Sequence, residues 1–472
     1  MAAPILFVAL PLAAAPLLYL LRRWRRVGTV LAAGLALCLT LLALGLPLDQ
    51  PLALLGGTII RSSMTVLGRA FEIDPVDRLA LAFVFSQAAA LFLGAGLHGA
   101  GRYYLPAGQA ILGLLAAAAF VRPFLFAALF LEIAAALAVF MLGDEARPVT
   151  RGALRFLVFM TLGMPFILLT GWLIEGSAAS PEDVSFVAKA TLLLAAGFAV
   201  LLAVAPFHTW LPAVAEHSPP LAAAFVFTVM SFIPLFLLLS FLGAYTWLGQ
   251  NPAVYRALTV AGGGMALVGA LFAFGQRNFR RSMGYAMMVD IGAVLLAIGL
   301  GTPAGAEAAL GALALRGLAL SLWGVSLDQL RRAGGGDDDF DALRGLARRY
   351  PFASTALILS LLSLVGFPLT AGFPARWALL RLLTQIHPTG AILLLLGMVS
   401  VALVCVRGLG ALLAPVESGD EDLELAPRWS EKPSAVVVYS LGVLAVLVLG
   451  AFPQWLLPLV ARTASVFTGI SQ

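Results

Sequence analysis

The feature that most constrains this chain is a run of roughly 20 apolar residues, the length that crosses about 30 Å of hydrocarbon, repeated from one end to the other. Of the 472 residues 61% are hydrophobic and 11% charged, and the mean hydropathy is +1.00, values that belong to a protein threaded through a membrane many times. Splitting the runs at charge clusters and Gly/Pro breaks predicts spans at 2–21, 28–48, 79–99, 104–121, 123–143, 153–175, 187–205, 220–245, 254–275, 283–301, 305–330, 352–385 with an internal break, 389–413 and 435–459. The expected fold is an all-α polytopic membrane protein of about fourteen helices. The first run is read as a membrane helix and not a leader, because the arginines of RRWRR (22–26) follow the apolar core and no small-residue cleavage site appears.

Charge placement gives an independent check. If RRWRR is cytoplasmic, alternate loops should be basic, and they hold Arg147, Arg151 and Arg155, then Arg277, Arg280 and Arg281, then Arg331, Arg332, Arg344, Arg348 and Arg349. One intervening loop carries Glu175, Glu182 and Asp183. The pattern predicts fourteen spans with both termini outside. Basic residues scattered at helix ends form no continuous face, so nucleic acid is excluded as a partner. The polar stretches 334–350 and 414–433 read as solvated connections, with docking against a partner subunit as the alternative. Cys38 and Cys405 sit in apolar runs without metal-ligand spacing and are expected to pack in the core.

Two spans are interrupted by proline: VAPFHTWLP (204–212), with Pro206 and Pro212, and SLVGFPLTAGFPARW (363–377), with Pro368, Gly372 and Pro374. Proline removes a backbone hydrogen bond and clashes with the preceding turn, and such breaks are tolerated at membrane depth where protein or trapped water satisfies the freed groups. Broken helices at matching places in two halves point to inverted repeats around an ion path.

Ionisable groups at membrane depth are expensive, and each is a functional candidate. Glu132 in FLEIAAALAVF reads as a proton relay or half of a buried ion pair. Asp290 in YAMMVDIGAVLLA is either a relay or the partner of Arg316. Lys189 lies near the start of its span, where it can snorkel to the interface. Arg316 and Arg376 cannot release a proton but can hold a neighbour ionised. His208 and His217 stand at the first break, within SPP-ended VAPFHTWLPAVAEHSPP, and His208 is either a relay or a cap on broken-helix carbonyls. The sequence has no Gly-rich phosphate loop, metal spacing, nucleophilic triad, haem or iron–sulfur signature, so no catalytic, cofactor or metal residue is expected and the chain does no redox chemistry alone.

Four motifs resemble one family: PFHTWLP (206–212) followed by SPP (218–220), QRNFRRSMGYAM (276–287), LSLVGFPLTAGFPARW (362–377), and Glu132 in its fifth-span context. Together they are similar to the antiporter-like proton-translocating subunits of respiratory complex I, nearest to the N and M subunits of NADH-quinone oxidoreductase and related to Mrp antiporter and membrane-bound hydrogenase subunits. The resemblance covers about residues 120–456. It implies two five-helix inverted repeats with broken helices 7 and 12, and a hydrated chain of buried charges coupled to quinone reduction elsewhere in a multi-subunit assembly. On that scheme residues 1–121 hold helices 1–4, with helix 4 opening the first repeat; 122–250 complete that repeat, 251–413 form the second, and 414–472 carry a polar linker and the last helix. A bacterial inner membrane is the expected location, with lipid and other membrane subunits as partners.

Transferred residue by residue, the resemblance is uneven. Glu132 matches the family glutamate. The helix-7 lysine falls on Leu201, the helix-8 lysine on Ser231 or Phe232, the helix-12 lysine on Arg376, and a histidine common in the family becomes Asp290. The chain has two lysines, Lys189 and Lys432. Leucine and serine hold no proton and arginine releases none, so the usual path is interrupted. The expected function is therefore a non-redox membrane subunit of a complex I-type NADH-quinone oxidoreductase with degenerate proton translocation, through Glu132, His208 and Asp290. The alternatives are a subunit of a Mrp-type antiporter or membrane-bound hydrogenase, or a spacer that no longer pumps.

Overall fold

A computed structural model of the chain describes residues 2–52, 58–143, 149–179, 185–415, 430–455 and 457–464. Helices dominate. In chain order they are α1 (Ala3–Leu20), α2 (Arg25–Gly45), α3 (Pro75–His98), α4 (Tyr104–Phe120), α5 (Ala127–Leu142), α6 (Arg151–Ala179), α7 (Ser185–Leu201), α8 (Trp210–His217), α9 (Pro220–Phe225), α10 (Phe232–Ala244), α11 (Thr246–Gly249), α12 (Pro252–Phe274), α13 (Phe279–Gly299), α14 (Pro303–Ala333), α15 (Pro351–Val365), α16 (Phe373–Ile386), α17 (Pro388–Leu413), α18 (Pro433–Ala451) and α19 (Leu457–Ala464). Among the described residues eleven helical segments are long and apolar enough to cross a membrane, and α4, α7 and α15 are shorter apolar helices. The chain is an integral, multi-pass membrane protein.

Proline starts many of these helices. It occupies the first turn of α3, α14, α15, α16, α17 and α18, where its missing N–H is no loss and its φ suits the helix. Asp74 and Asp77 form a reciprocal capping box at α3, and Asn278 and Thr302 cap α13 and α14 by accepting from Arg281 N and Gly305 N.

The chain divides into two compact units, one built from α1–α7, α10 and α11, the other from α8, α9 and α12–α19. In the first, α4 and α10 are buried along almost their whole length. In the second, α13 and α14 form the centre, α13 being buried from Ser282 to Gly299. The polar segment after α2, given no structure by sequence patterning, forms small antiparallel strands. Strand β1 (Pro51–Leu52) pairs with β2 (Thr58–Ile59), and β3 (Ser63–Val66) with β4 (Arg69–Glu72) through a tight turn at Leu67–Gly68, both with positive φ. β4 also pairs with β5 (Val121–Arg122), whose Arg122 holds Asp77 at 2.8 Å and Asp74 at 3.1 Å.

Two expectations need correction. The segment 334–350 is solvated only in part: Asp337, Asp339, Asp341 and Arg344 are exposed, but Asp338, Phe340 and Leu343 are buried, Asp338 pairs with Arg280 at 2.6 Å, and the Phe279 and Phe340 rings lie 4.7 Å apart. The basic motif at 276–281 attracts this acidic loop into a clasp over the start of α13. Cys38 faces outward on α2, while Cys405 is buried on α17. Of the second polar stretch, 416–429 lie outside the described residues.

Candidate functional site

Both predicted breaks are present, and the sequence dictates their shape. α7 ends at Leu201, Ala203 takes φ +57°, and the chain passes through Pro206 into a single turn, Phe207–Thr209, before α8 begins. Pro212 lies in the first turns of α8 and Pro374 in the first turn of α16, so these two prolines start helices. The interruptions themselves centre on Pro206 and on 366–372, where Pro368 lies and Gly372 is the N-cap of α16. Gly366 ends α15 at φ +80°, and the Arg376 stem occupies the place a Cβ would take, so any other residue would both strain the backbone and expel the arginine. One interruption escaped sequence reading: within the predicted span 220–245, a π-turn at Val226–Met230 leads into Ser231. Nothing in the apolar pattern there signals it.

The first unit's break closes on an apolar void. Leu131, Leu201, Trp210, Met230 and Ser231 help to line a cavity of about 20 Å³, room for about one water molecule. The positions expected to carry the two first-half lysines, Leu201 and Ser231, thus meet at one void. Leu201 is buried, and Ser231 donates its hydroxyl to the Phe227 carbonyl at 2.5 Å, which leaves that hydroxyl oriented into its own helix. The Phe156 and Trp210 rings, 5.1 Å apart, wall the void. Glu132, next in sequence to Leu131, is half-buried. Its Oε1 accepts from the Thr161 hydroxyl at 2.6 Å, while Oε2 is buried with no hydrogen-bond partner among the described residues. Thr161 was invisible to sequence reasoning, because a threonine in an apolar helix normally satisfies itself on its own backbone.

Three more candidates stand apart from this cluster. His208 is half-buried in the turn after Pro206. Lys189 is exposed on α7, near Ser185 Oγ at 3.4 Å, as snorkelling predicts. His217 binds back to the Ala213 carbonyl at 2.9 Å within α8. Glu216, beside it, pairs with Arg281 at 3.1 Å. That pair joins α8 to α13, as does Gly284, where a Cβ would stand 2.5 Å from Pro212 Cα. The residues of α8 from Leu211 onward and the RRSMGY motif are therefore packed against each other.

The second unit gathers three predicted residues into one cluster. Asp290 on α13, Arg316 on α14 and Arg376 on α16 are all buried to within 3% exposure. Arg316 Nη1 lies 3.0 Å from Asp290 Oδ2, and Arg376 Nη2 bonds Asp290 Oδ1 and approaches the Leu364 carbonyl at 3.5 Å. Asp290 is thus the partner of Arg316, one of the two roles its place in the sequence allowed, and of Arg376 as well. Two guanidiniums against one carboxylate leave a net charge of +1 within the helices.

A model of the transmembrane family "NADH:quinone oxidoreductase/Mrp antiporter" matches residues 183–403. NADH-quinone oxidoreductase subunit N of Halorhodospira halophila is 30% identical over 333 residues, covering 67% of this chain and 68% of that protein. A chain of respiratory complex I from Thermus thermophilus has the same fold, with a TM-score of 0.76, 24% identity and coverage of 98% and 99%. So does a chain of the Mrp complex from Dietzia sp., at a TM-score of 0.77, 19% identity and coverage of 98% and 96%. The chain belongs to the NADH:quinone oxidoreductase/Mrp antiporter family of membrane subunits, with subunit N among its homologues.

Proposed function

We propose that this chain is a membrane subunit of a complex I-type NADH-quinone oxidoreductase, assembled with other membrane subunits in a bacterial inner membrane, and that its part in proton translocation is degenerate. The subunit has no redox step of its own. It crosses the membrane fourteen times, in two five-helix repeats that change over at residues 250–251. The kinship with subunit N supports the assembly. The observation that carries the degenerate reading is the pairing of an apolar void at Leu201 and Ser231 with an Asp290 held between two arginines.

In chemical terms, a relay needs groups that cycle between charged and neutral forms near the working pH. Leu201 and Ser231 supply none, and Arg316 and Arg376 keep their protons. Glu132 is the group suited to exchange: the Thr161 hydroxyl donates to one oxygen and leaves the other open to a proton. In this reading Glu132 takes up and returns protons in response to charge movement in the assembly. Asp290 with its arginines acts as a fixed charge that senses such movement without carrying it.

The test is proton translocation per electron in the reconstituted complex carrying Glu132→Gln. A reduced ratio with full assembly is expected. An unchanged ratio would leave the second reading, a spacer, which the one-water void at the lysine positions favours.

A further inference from the structure

The amino-terminal helices carry a second feature, outside the segment 183–403 that the family model matches. At one end of α1–α4 lies a half-open cavity of about 450 Å³. Arg22, Arg25, Arg26 and Arg102 all line it, Leu18 and Leu105 contribute to its apolar wall, and none of the described residues lining it is acidic. Four guanidiniums around one concavity repel one another unless an anion enters.

The arginines are held in position. Tyr19 and Tyr103 stack with ring centroids 6.0 Å apart and planes within 7°. The Arg22 guanidinium lies 4.5 Å from the centre of the Tyr19 ring and that of Arg102 lies 4.6 Å from the Tyr103 ring. These cation–π contacts hold the two cations by their rings while a guanidinium can still offer N–H groups to an oxyanion. Arg25 lies against Gly99 at the end of α3. Beside the cavity Leu17, Leu20 and Trp24 are strongly exposed apolar side chains, at 52%, 77% and 66%.

An anion site with apolar walls at the end of membrane helices has the chemistry of a lipid headgroup region, and the arginine-rich end of α1 is the cytoplasmic one by charge distribution. We infer that this cavity binds the phosphate of an anionic phospholipid, with Arg22, Arg25, Arg26 and Arg102 on the phosphate and the lipid chains lying along Leu17, Leu20 and Trp24. The lipid offsets part of the cluster's positive charge and ties α1 and α2 to α4. The proposal is independent of whether the subunit pumps.

The experiment compares retention of phosphatidylglycerol and phosphatidylcholine with identical acyl chains on the full-length chain, by native mass spectrometry after detergent exchange. Phosphatidylglycerol should be retained at least about tenfold better, since each arginine near the surface contributes about fivefold. The double variant Arg22→Gln/Arg102→Gln should lose that preference. Arg151→Gln/Arg155→Gln, which removes two exposed arginines elsewhere, should keep it. Equal retention of the two lipids by the unaltered chain overturns the proposal whether or not the variants fold. So does an unchanged preference in the folded Arg22/Arg102 variant. Displacement of phosphatidylglycerol by millimolar inorganic phosphate would mark a free-anion pocket, and its loss on assembly with neighbouring subunits would mark a protein interface; both also overturn it.

Discussion

Set against the lysine pattern that the family resemblance leads one to expect, the two broken-helix regions of this protein differ in opposite directions. In the first unit the break has lost charge: Leu201 and Ser231 face a void for about one water, and Glu132 keeps a single hydroxyl partner. In the second the break has gained fixed charge, with one buried aspartate held by Arg316 and Arg376. The physical difference is in what a side chain costs when its partner goes. An apolar residue at membrane depth needs no partner, whereas a buried guanidinium stripped of its carboxylate is an uncompensated charge. The first region can therefore tolerate change, and the second is a locked unit.

The largest expected effect follows from breaking the lock. Asp290→Asn removes the carboxylate that two buried guanidiniums share and should cost about 4–5 kcal/mol, read as a large fall in Tm in detergent and as failure to assemble. The triple change Asp290→Leu/Arg316→Leu/Arg376→Leu should recover much of that loss. If Asp290→Asn alone were as stable as the unaltered chain, the contrast between the regions would collapse.

Next comes restoration of the first region. Leu201→Lys places an amine in a cavity that holds about one water, and burying its charge there should cost about 3–4 kcal/mol near neutral pH. The sign is fixed by linkage: a lysine whose folded pKa is depressed destabilises most at pH below that value, and the loss shrinks as pH rises toward about 10.4. Melting curves between pH 6 and pH 10 should show the gap to the unaltered chain closing with pH; a pH-independent gap would mean steric strain instead.

A milder change tests whether the arginine fork matters beyond its charge. Arg376→Lys keeps the charge but cannot span Asp290 and the Leu364 carbonyl together, and should cost about 1–2 kcal/mol in a denaturant or thermal assay. Smallest of all, Glu132→Gln retains an acceptor for the Thr161 hydroxyl and should change stability by less than about 1 kcal/mol. Its effect should appear in proton stoichiometry instead, which separates a proton-exchanging group from a structural one.

The sequence by itself determined the class of the molecule, because hydrocarbon imposes length and composition on every spanning segment and those are readable one residue at a time. It determined the two breaks at Pro206 and 366–372, since proline and glycine act on the backbone beside them, though not the π-turn at Val226–Met230, and it marked Glu132, Asp290, Arg316 and Arg376 as costly charges. The tertiary structure alone decided who partners whom. Asp290 and Arg376 are 86 residues apart and meet across three helices, so Asp290 could be read equally as a relay or as an ion-pair partner until α13, α14 and α16 were packed. The same holds for Thr161 with Glu132, for the buried acidic clasp of Asp338 on Arg280, and for Leu201 and Ser231 at one void. Local composition fixes what a segment can be, but ion pairs and cavities exist between segments, and their energies depend on distance and burial that no single stretch of chain contains.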